Sequence, residues 1–178
     1  MLAKLVAVRP ARSEDLPAIQ AIYAHHVLHG LASFEEAPPS IDEMRRRFDE
    51  VSGRGLPYLV ADLEGTVAGY GYCAPYRARS AYRYALEDSV YVREDMAGRG
   101  VGAALLGALV ERAAALGYRQ MVAVIGDSAH HASIGLHEGQ GFVRVGTLRS
   151  VGYKHGRWVD SVLMQRPLGP GDGLAPKD

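Results

Sequence analysis

The spacing of apolar residues along the chain predicts eleven elements of regular structure. In four stretches apolar side chains recur every three or four positions, as in amphipathic helices, and seven shorter stretches have the alternation or the β-branched and aromatic runs of strands. The predicted strands are Leu5–Arg9, Tyr58–Leu63, Val67–Cys73, Leu86–Val92, Met121–Ile125, Phe142–Gly146 and Val159–Arg166. The predicted helices begin at Ser13, Ser40, Gly100 and Ala132, and the last three end near Gly53 or Gly55, at Leu116 and at Gly139.

Short polar signals support these boundaries. Ser13 is expected to cap the first helix, and Ser40-Ile-Asp-Glu43 has the pattern of a capping box. Glu64-Gly65 is a hairpin signal between the second and third strands. The order β-α-α-β-β-β-α-β-α-β-β predicts an α/β (α+β) fold, in which helices cover the faces of a mixed sheet. We expect one domain over residues 1–168 and a disordered tail rich in glycine and proline over residues 169–178.

Composition limits the classes of partner. Among 178 residues, 48% are hydrophobic, and 20 basic and 20 acidic side chains give a net charge of zero. This balance gives no electrostatic argument for binding nucleic acid or an anionic membrane. No apolar run reaches the roughly 20 residues that a membrane-spanning helix needs. Cys73 is the single cysteine, and Met1–Lys4 lacks the apolar core of a signal peptide, so we expect a cytoplasmic protein.

The most informative stretch is the glycine-rich loop between the fourth predicted strand and the third predicted helix. Glycines allow a close approach to an anion, and the unpaired N–H groups that begin a helix favour negative charge. The loop therefore predicts a site for a phosphate or diphosphate. Gly98-Arg-Gly-Val-Gly-Ala103 also fits the dinucleotide pattern G-x-G-x-x-A, with Asp127 as a ribose ligand. Five residues, Arg93–Ala97, separate the loop from its strand and a hairpin precedes it, which disfavours a nicotinamide-binding fold.

Two linked segments resemble the GNAT family of N-acetyltransferases. Ala97-Gly-Arg-Gly-Val-Gly102 is similar to the acyl-CoA loop of that family, Q/R-x-x-G-x-G/A. His130-His-Ala-Ser-Ile-Gly-Leu-His-Glu-Gly-Gln-Gly-Phe142 is similar to its second segment, and it lies at the right distance. Within the family, the chain looks like the phosphinothricin and methionine sulfoximine/sulfone acetyltransferases. The stretches that carry this likeness are Ala32-Ser-Phe-Glu35, Tyr72-Cys-Ala-Pro-Tyr-Arg77, Ala81-Tyr82, Glu87-Asp-Ser-Val-Tyr-Val92, Ser133-Ile-Gly-Leu-His-Glu138 and Gly152-Tyr-Lys-His-Gly-Arg-Trp158 with Asp160.

The resemblance implies a fold, a reaction and two catalytic side chains. The fold would be the GNAT fold, a mixed and mostly antiparallel sheet of about seven strands with about four helices. The reaction would be acetylation of the α-amino group of a small amino acid or analogue, by direct transfer from acetyl-CoA in a ternary complex and without a metal. Glu87 matches the acidic residue that serves this subgroup as general base. His137 occupies the position where most members carry a tyrosine that protonates the CoA sulfur, and histidine suits that role because its pKa lies near neutrality.

The resemblance also implies the residues that bind the cofactor. Main-chain N–H groups of the fourth strand would pair with the pantetheine arm and stabilise the oxyanion, and those of the glycine loop would hold the diphosphate. The implied cofactor-binding residues are Val90, Tyr91, Val92, Gly98, Arg99, Gly100, Val101, Gly102, Ala103, His130 and Ser133. Two positions depart from the family pattern: Ala97 stands where the family has Gln or Arg, and His130 stands where it commonly has Asn.

For the amine substrate, the loop over residues 75–84 is rich in arginine and tyrosine. Arginine forks pair well with carboxylate, phosphinate or sulfone oxygens. An early loop would form the opposite wall of the pocket, with Glu35 attracting an ammonium group. The residues expected to bind substrate are Phe34, Glu35, Arg77, Ala78, Arg79, Tyr82, Glu87, Asp88 and Ser89.

Several alternatives remain open at this point. A GNAT enzyme can act on peptide N-termini, polyamines or aminoglycosides, although an arginine-rich loop suits polycations poorly. A weakly catalytic CoA sensor is a second alternative, suggested by Ala97 and His130. His25 and His29 share a helix face, but no third ligand sits at matching spacing, so a metal site is disfavoured. The apolar hairpin Tyr153–Asp160, with Trp158, suggests a homodimer contact.

Overall fold

The computed structural model describes residues 6–176 and confirms the predicted order of strands and helices. Leu5, the expected first residue of the first strand, lies outside the described residues. The strands are β1 (Ala7–Pro10), β2 (Tyr58–Leu63), β3 (Thr66–Pro75), β4 (Ala85–Val92), β5 (Gln120–Gly126), β6 (Val143–Lys154) and β7 (Arg157–Pro167). The helices are α1 (Leu16–His29), α2 (Ile41–Gly53), α3 (Val101–Ala115) and α4 (His131–Gly139), and short 3-10 turns cover Ser13–Asp15, Ser80–Tyr82 and Glu94–Met96.

The seven strands form one mixed sheet in the order β1-β2-β3-β4-β5-β7-β6. Only β4 and β5 are parallel among the described strands, which excludes the doubly wound sheet of a nicotinamide-binding fold. Their pairing runs from Ala85 opposite Gln120 to Asp88 opposite Ala123 and then stops. The residues of β4 after Asp88 therefore have a strand on one side only, and an opening lies between β4 and β5.

The helices pack on both faces of the sheet, and two glycines of β3 let α3 come close. A Cβ atom on Gly69 would lie 3.0 Å from Val101 Cγ1, and one on Gly71 would lie 3.0 Å from Leu109 Cδ1. Leu105 and Leu109 of α3 are fully buried there. The neighbouring residues of β3 point to the other face, because side chains alternate along a strand, and α1 and α2 cover that face.

The start of the first helix corrects one expectation. Ser13 does not cap the helix, since it opens a 3-10 turn and α1 begins at Leu16. The Asp15 carboxylate holds this turn, accepting hydrogen bonds from the Arg12 N–H at 2.8 Å and from the Arg9 guanidinium at 2.7 Å. The charge-assisted hydrogen bond between Asp15 and Arg9 is stronger than the neutral hydrogen bond that a Ser13 cap would make. The second helix confirms half of the expected capping box. Ser40 Oγ accepts the N–H of Glu43, but the Glu43 carboxylate accepts hydrogen bonds from Arg46 and Arg47.

The last hairpin is longer than predicted. The sixth strand was expected to end at Gly146, but it continues to Lys154, and the seventh begins at Arg157. The pairing between them shifts register between Arg144 and Gly146 and again between Leu148 and Gly152. Such irregularities interrupt the alternation of apolar and polar residues. The sequence pattern therefore did not predict this part of the strand, although its pairing with β7 continues.

Two further expectations concern the tail and the membrane. The Arg119 guanidinium donates hydrogen bonds to the carbonyl groups of Gly171 and Ala175, so part of the segment after β7 contacts the domain. Residues 177–178 lie outside the described part of the chain, and disorder of the tail stays a prediction. Within residues 6–176, none of the helices has the length and apolar character needed to cross a bilayer.

Candidate active site

The free edge of β4 presents backbone groups to the opening beside β5. The N–H of Arg93, the residue after β4, donates to the carbonyl oxygen of Ala68 in β3 at 2.9 Å. Backbone groups alternate along an antiparallel strand, so those of Val92 and Val90 face the opposite side, toward the opening. His26 Nε2 donates to the Val92 carbonyl at 2.8 Å, and burial lowers the pKa of this histidine. Sequence reasoning missed His26, since only the fold brings α1 against this edge.

The glycine loop continues from this edge to the N-terminus of α3. Gly98 and Gly100 have φ values of +72° and +80°, in the left-handed region that favours glycine. A cavity of about 540 Å³ lies against the loop and the free edge of β4. Of the residues expected to bind the cofactor, the cavity is lined by Val90, Val92, Gly98, Gly100, Val101, Gly102, Ala103, His130 and Ser133. Arg99 is exposed beside it, and Tyr91 is among the residues that line a smaller pocket at the same opening.

His130 forms the N-cap of α4. Its Nδ1 atom accepts a hydrogen bond from the Ser133 N–H at 3.1 Å. Asparagine is a strong N-cap because its side-chain oxygen accepts such a bond, and here a ring nitrogen replaces that oxygen. The departure from the family pattern at His130 therefore keeps the helix capped, while the rest of the ring lines the cavity.

Glu87 and Asp88 lie on opposite faces of the sheet, because they are neighbours on β4. Glu87 stands opposite Ala74 of β3, on the face covered by α1 and α2. Burial raises the pKa of Glu87, the neighbouring Asp88 raises it further, and Arg77 acts in the other direction. A partly buried carboxyl group with a raised pKa has the properties of a proton acceptor that works near neutral pH.

Asp88 faces α4, where it meets His137. Asp88 Oδ2 lies 3.0 Å from His137 Nε2, and His137 Nδ1 lies 2.7 Å from the carbonyl oxygen of Ser133. Both side chains are buried, with exposed fractions of 6% for Asp88 and 4% for His137. The Phe142 ring packs edge-on against the imidazole. Both residues line a small pocket at the point where β4 and β5 separate.

The loop after β3 holds the arginines that the sequence singled out. Arg77 and Arg79 are exposed, with Ala78 between them, and the Arg77 guanidinium lies 5.1 Å from the centre of the Tyr76 ring. Tyr82 packs edge-on against the same ring. This loop leads directly into β4 a few residues before Glu87.

The early loop after α1 is fixed against the last hairpin. Lys154, which is 2% exposed, donates from Nζ to the carbonyl oxygen of Ser33 at 2.7 Å. The Phe34 ring fills the space beside Gly152, where a Cβ atom would lie only 2.5 Å from it. The Glu35 carboxylate accepts a hydrogen bond from the Arg47 guanidinium at 2.7 Å. Its charge is therefore already paired, which weakens the expectation that it attracts an ammonium group.

A second cavity lies on the face of Glu87, and the sequence did not reveal it. Its volume is about 180 Å³. The lining comes from α1, α2, β2 and β3 and includes Tyr23, Met44, Arg47, Tyr58, Tyr70, Tyr72 and Ala74. Ser89 and Glu87 stand opposite Tyr72 and Ala74 in the β3–β4 ladder, so both lie on the same face of the sheet as the tyrosine-lined cavity. Tyrosines this far apart in sequence meet only through the sheet, and no local motif marks them.

The histidines of α1 do not assemble a ligand set. The His25 and His29 rings lie 5.0 Å apart, and His25 Nε2 lies 3.4 Å from the Glu94 carboxylate. Within residues 6–176 no three His, Cys, Asp or Glu side chains are grouped as metal ligands.

Comparison with known proteins defines the class. The family model described as "Acetyltransferase (GNAT) domain" matches residues 8–163. The chain therefore belongs to the GNAT acetyltransferase family. It is 56% identical over 170 residues to a phosphinothricin N-acetyltransferase of Alcaligenes faecalis, covering 96% of this chain and 86% of the relative. It is 43% identical over 164 residues to an L-methionine sulfoximine/L-methionine sulfone acetyltransferase of Pseudomonas aeruginosa, covering 92% and 95%.

The fold agrees with solved structures of the family. A crystal structure of a GNAT phosphinothricin acetyltransferase from Sinorhizobium meliloti, in complex with AcCoA, superposes with a TM-score of 0.94 at 48% identity. The match covers 97% of this chain and 94% of that one. The mixed sheet of seven strands with four helices is the GNAT fold expected from the sequence.

Proposed function

We propose that this protein is an acetyl-CoA-dependent N-acetyltransferase that acetylates the α-amino group of a small amino acid or analogue, by direct transfer in a ternary complex. The observation that carries this proposal is the placement of Glu87 and of the Asp88–His137 pair on opposite faces of the sheet, at the last residues of β4 that pair with β5. The opening between β4 and β5 runs directly into the cavity at the glycine loop.

The residues of the cavity fit an acylated pantetheine carrier. Free N–H groups of the loop and of the first turn of α3 would hold the diphosphate, and those of Val90 and Val92 would pair with the pantetheine arm. The same main-chain donors would stabilise the oxyanion. When bound, acetyl-CoA supplies the activated acyl group. Tyr91 and Ser133 would complete its surroundings, since both line the opening.

Glu87 acts in this proposal as the general base. An α-amino group is mostly protonated at neutral pH, and the carboxylate takes its proton directly or through one water. His137 serves on the other face as the group that assists the departing thiolate. Both substrates are held together on the sheet, so the reaction needs no covalent enzyme intermediate.

The acceptor would bind between the arginine loop and the tyrosine-lined cavity. Arg77 and Arg79 would pair with its carboxylate, with Tyr82 beside them, and Phe34 would form the opposite wall. The side chain would enter the cavity, where Arg47 is already paired with Glu35 and Glu43. A cavity with aromatic walls and an arginine suits a compact sulfone, sulfoximine or phosphinate group, whose oxygens accept hydrogen bonds. The likeness to phosphinothricin and methionine sulfone acetyltransferases supports this acceptor class.

A thiol-release assay with acetyl-CoA tests the proposal. We expect L-methionine sulfone, L-methionine sulfoximine and phosphinothricin to be acetylated with kcat/KM at least about 100-fold above peptides, polyamines and aminoglycosides. Acetylation of peptides or polyamines in preference to these amino acids would favour the other GNAT substrate classes. Tight binding of acetyl-CoA with no thiol release on any amine would favour a CoA sensor.

The arginine loop has its own test. Replacing Arg77 and Arg79 together by alanine is expected to raise KM for the amino acid about tenfold, because charge-assisted hydrogen bonds to its carboxylate are lost. The KM for acetyl-CoA is expected to stay unchanged. Arg45→Ala, at an exposed position on α2, is the matched control. An equal KM for the amino acid in the double variant and the control would remove these arginines from the site.

We also propose a homodimer, formed through an exposed apolar surface on the last hairpin. This hairpin surface consists of Val143, Val145, Leu148, Val151, Tyr153 and Trp158, and Trp158 is 65% exposed. Contiguous apolar area on an edge strand marks an association surface. The free, buried Cys73 suits the reducing cytoplasm, where we place the enzyme.

Sedimentation velocity tests the dimer. Trp158→Glu is expected to shift the protein from dimer to monomer, because it buries a charge in the contact. Leu116→Glu, at an exposed apolar residue just after α3, is the control and is expected to remain dimeric. A monomeric wild-type protein at micromolar concentration would contradict the proposal.

A further inference from the structure

The pair of Asp88 and His137 lies at the base of the opening between β4 and β5, and its hydrogen bonds fix the positions of its protons. The carbonyl oxygen of Ser133 can only accept, so His137 Nδ1 must carry a hydrogen. The contact between His137 Nε2 and Asp88 Oδ2 then holds one more proton, which lies on the ring or on the carboxyl group. The ring has no freedom to turn, because both nitrogens are bonded and Phe142 packs against it.

The second oxygen of Asp88 has no hydrogen-bond partner among residues 6–176. Asp88 Oδ1 is buried and makes no hydrogen bond to a described residue. Buried polar atoms are almost always bonded, and a half-satisfied carboxylate in a structural pair is costly. Asp88 and His137 line the pocket where β4 and β5 separate, so the carboxyl group with the unpartnered oxygen lies beside this opening.

Asp88 is the charged side chain that determines the protonation of His137 in this pocket. In this part of the described chain, β5 contributes Ala123, Val124, Ile125 and Gly126 to the pocket, none of which titrates. His130 of α4 also lines it, with Nδ1 engaged as the helix cap. Glu87 points to the other face. Burial lowers the pKa of His137, but the hydrogen bond and the charge of Asp88 outweigh burial, so its pKa is raised.

We propose that Asp88 is a positioning residue, which holds His137 in one orientation and keeps a proton on the pair at the base of the opening for the departing sulfur. This inference rests on the proposed function. In the transfer, the bond from the amine nitrogen to the acyl carbon forms, and the carbon–sulfur bond breaks with its electron pair on sulfur. Glu87 takes the first proton of the ammonium group before attack and releases it to water, and it takes the second amine proton as the carbon–sulfur bond breaks. Sulfur takes the proton of the pair, and water carries the second proton from Glu87 back to the pair. Asp88 therefore acts through His137 and not as a direct ligand of the acceptor.

The first test needs no acetyl-CoA. The titration of His137 is followed by nuclear magnetic resonance of histidine-labelled protein, with His137→Gln used to assign the signal. We expect wild-type His137 to titrate above the usual value for histidine, and Asp88→Asn to move it below the wild-type value by about one pH unit or more. Asp62→Asn, on β2 away from the opening, is the matched control and is expected to leave it unchanged.

The second test is kinetic. The proton donor must be protonated, so activity is lost as pH rises through the pKa of the pair, and Asp88→Asn is expected to move this alkaline limb to lower pH. We expect kcat to fall about tenfold at pH 8, with the KM values for both substrates within about twofold. Asp88→Glu is expected to recover part of the loss. Asp88→Ser serves as a second variant, with the same expectation, if the asparagine protein does not fold.

The outcomes separate this inference from the proposed function. An unchanged His137 titration in both neutral variants would overturn the inference, and so would an unchanged kcat and pH profile despite a shifted titration. In either case the wild-type enzyme would still acetylate amino acids. A wild-type protein that acetylates no amine would overturn the proposed function and this inference with it.

Discussion

Glu87→Gln is expected to reduce kcat by about 100-fold or more, the lower end of what general-base catalysis contributes. Glutamine keeps the size of the side chain but cannot take a proton, so the amine stays protonated longer before attack. Acetyl-CoA binding is expected to stay within about twofold, because Glu87 lies on the face away from α3. Steady-state kinetics at saturating amine and calorimetry with acetyl-CoA measure the two quantities.

The pH dependence gives the same prediction a second readout. The base must be ionised, and burial raises the pKa of Glu87, so wild-type activity is expected to fall as pH drops through a value above that of an ordinary glutamate. Glu87→Gln removes this acidic limb. Glu138→Gln, at an exposed residue of α4, is the control and is expected to keep both rate and profile. A glutamine variant with kcat near that of wild type would remove Glu87 from the role of base.

Gly100→Val is expected to weaken acetyl-CoA binding about tenfold or more, a loss of about 1.4 kcal/mol or above. Gly100 has a φ of +80°, which a β-branched residue adopts only with strain of about 1–2 kcal/mol. The loop would relax away from this conformation and turn its N–H groups from the diphosphate. Calorimetry with acetyl-CoA measures the effect.

A valine substitution at Gly65 is the control that distinguishes a loss of acetyl-CoA affinity from a general loss of stability. Gly65, in the hairpin between β2 and β3, also has a φ of +80°, and no atom lies within 4 Å of a Cβ at either position. Gly65→Val therefore carries similar strain at a distance from the cavity. We expect the two variants to lose similar thermal stability, while only Gly100→Val loses affinity. Equal affinities would show that the loop does not hold the diphosphate.

The sequence predicted the parts of the site that depend on local chemistry. The glycine loop, the helix that follows it and the strand before it each have a short-range signal, and the structure places all three as expected. Glu87 and His137 were identified by their register within family motifs, and their positions on opposite faces of the sheet fit the roles now proposed for them. Such features are predictable because turn chemistry and periodicity act over a few residues.

The remaining features depend on contacts between distant segments. Glu87 and Asp88 look equivalent in sequence, and only the pleat of β4 and the helix on each face give them different partners. The tyrosine-lined cavity and the contact from His26 to Val92 also need the assembled sheet. The extension of β6 to Lys154 is held by pairing with β7 and not by its own pattern.

A crystal structure with coenzyme A and L-methionine sulfone bound together would show whether the two substrates meet at this sheet as proposed. We expect the diphosphate at Gly98–Ala103 and the sulfur at the opening between β4 and β5, on the side of His137. We expect the α-amino group on the other side, within hydrogen-bonding reach of the Glu87 carboxylate directly or through one water. An amine bound away from Glu87, or a sulfur outside the opening, would contradict this proposal.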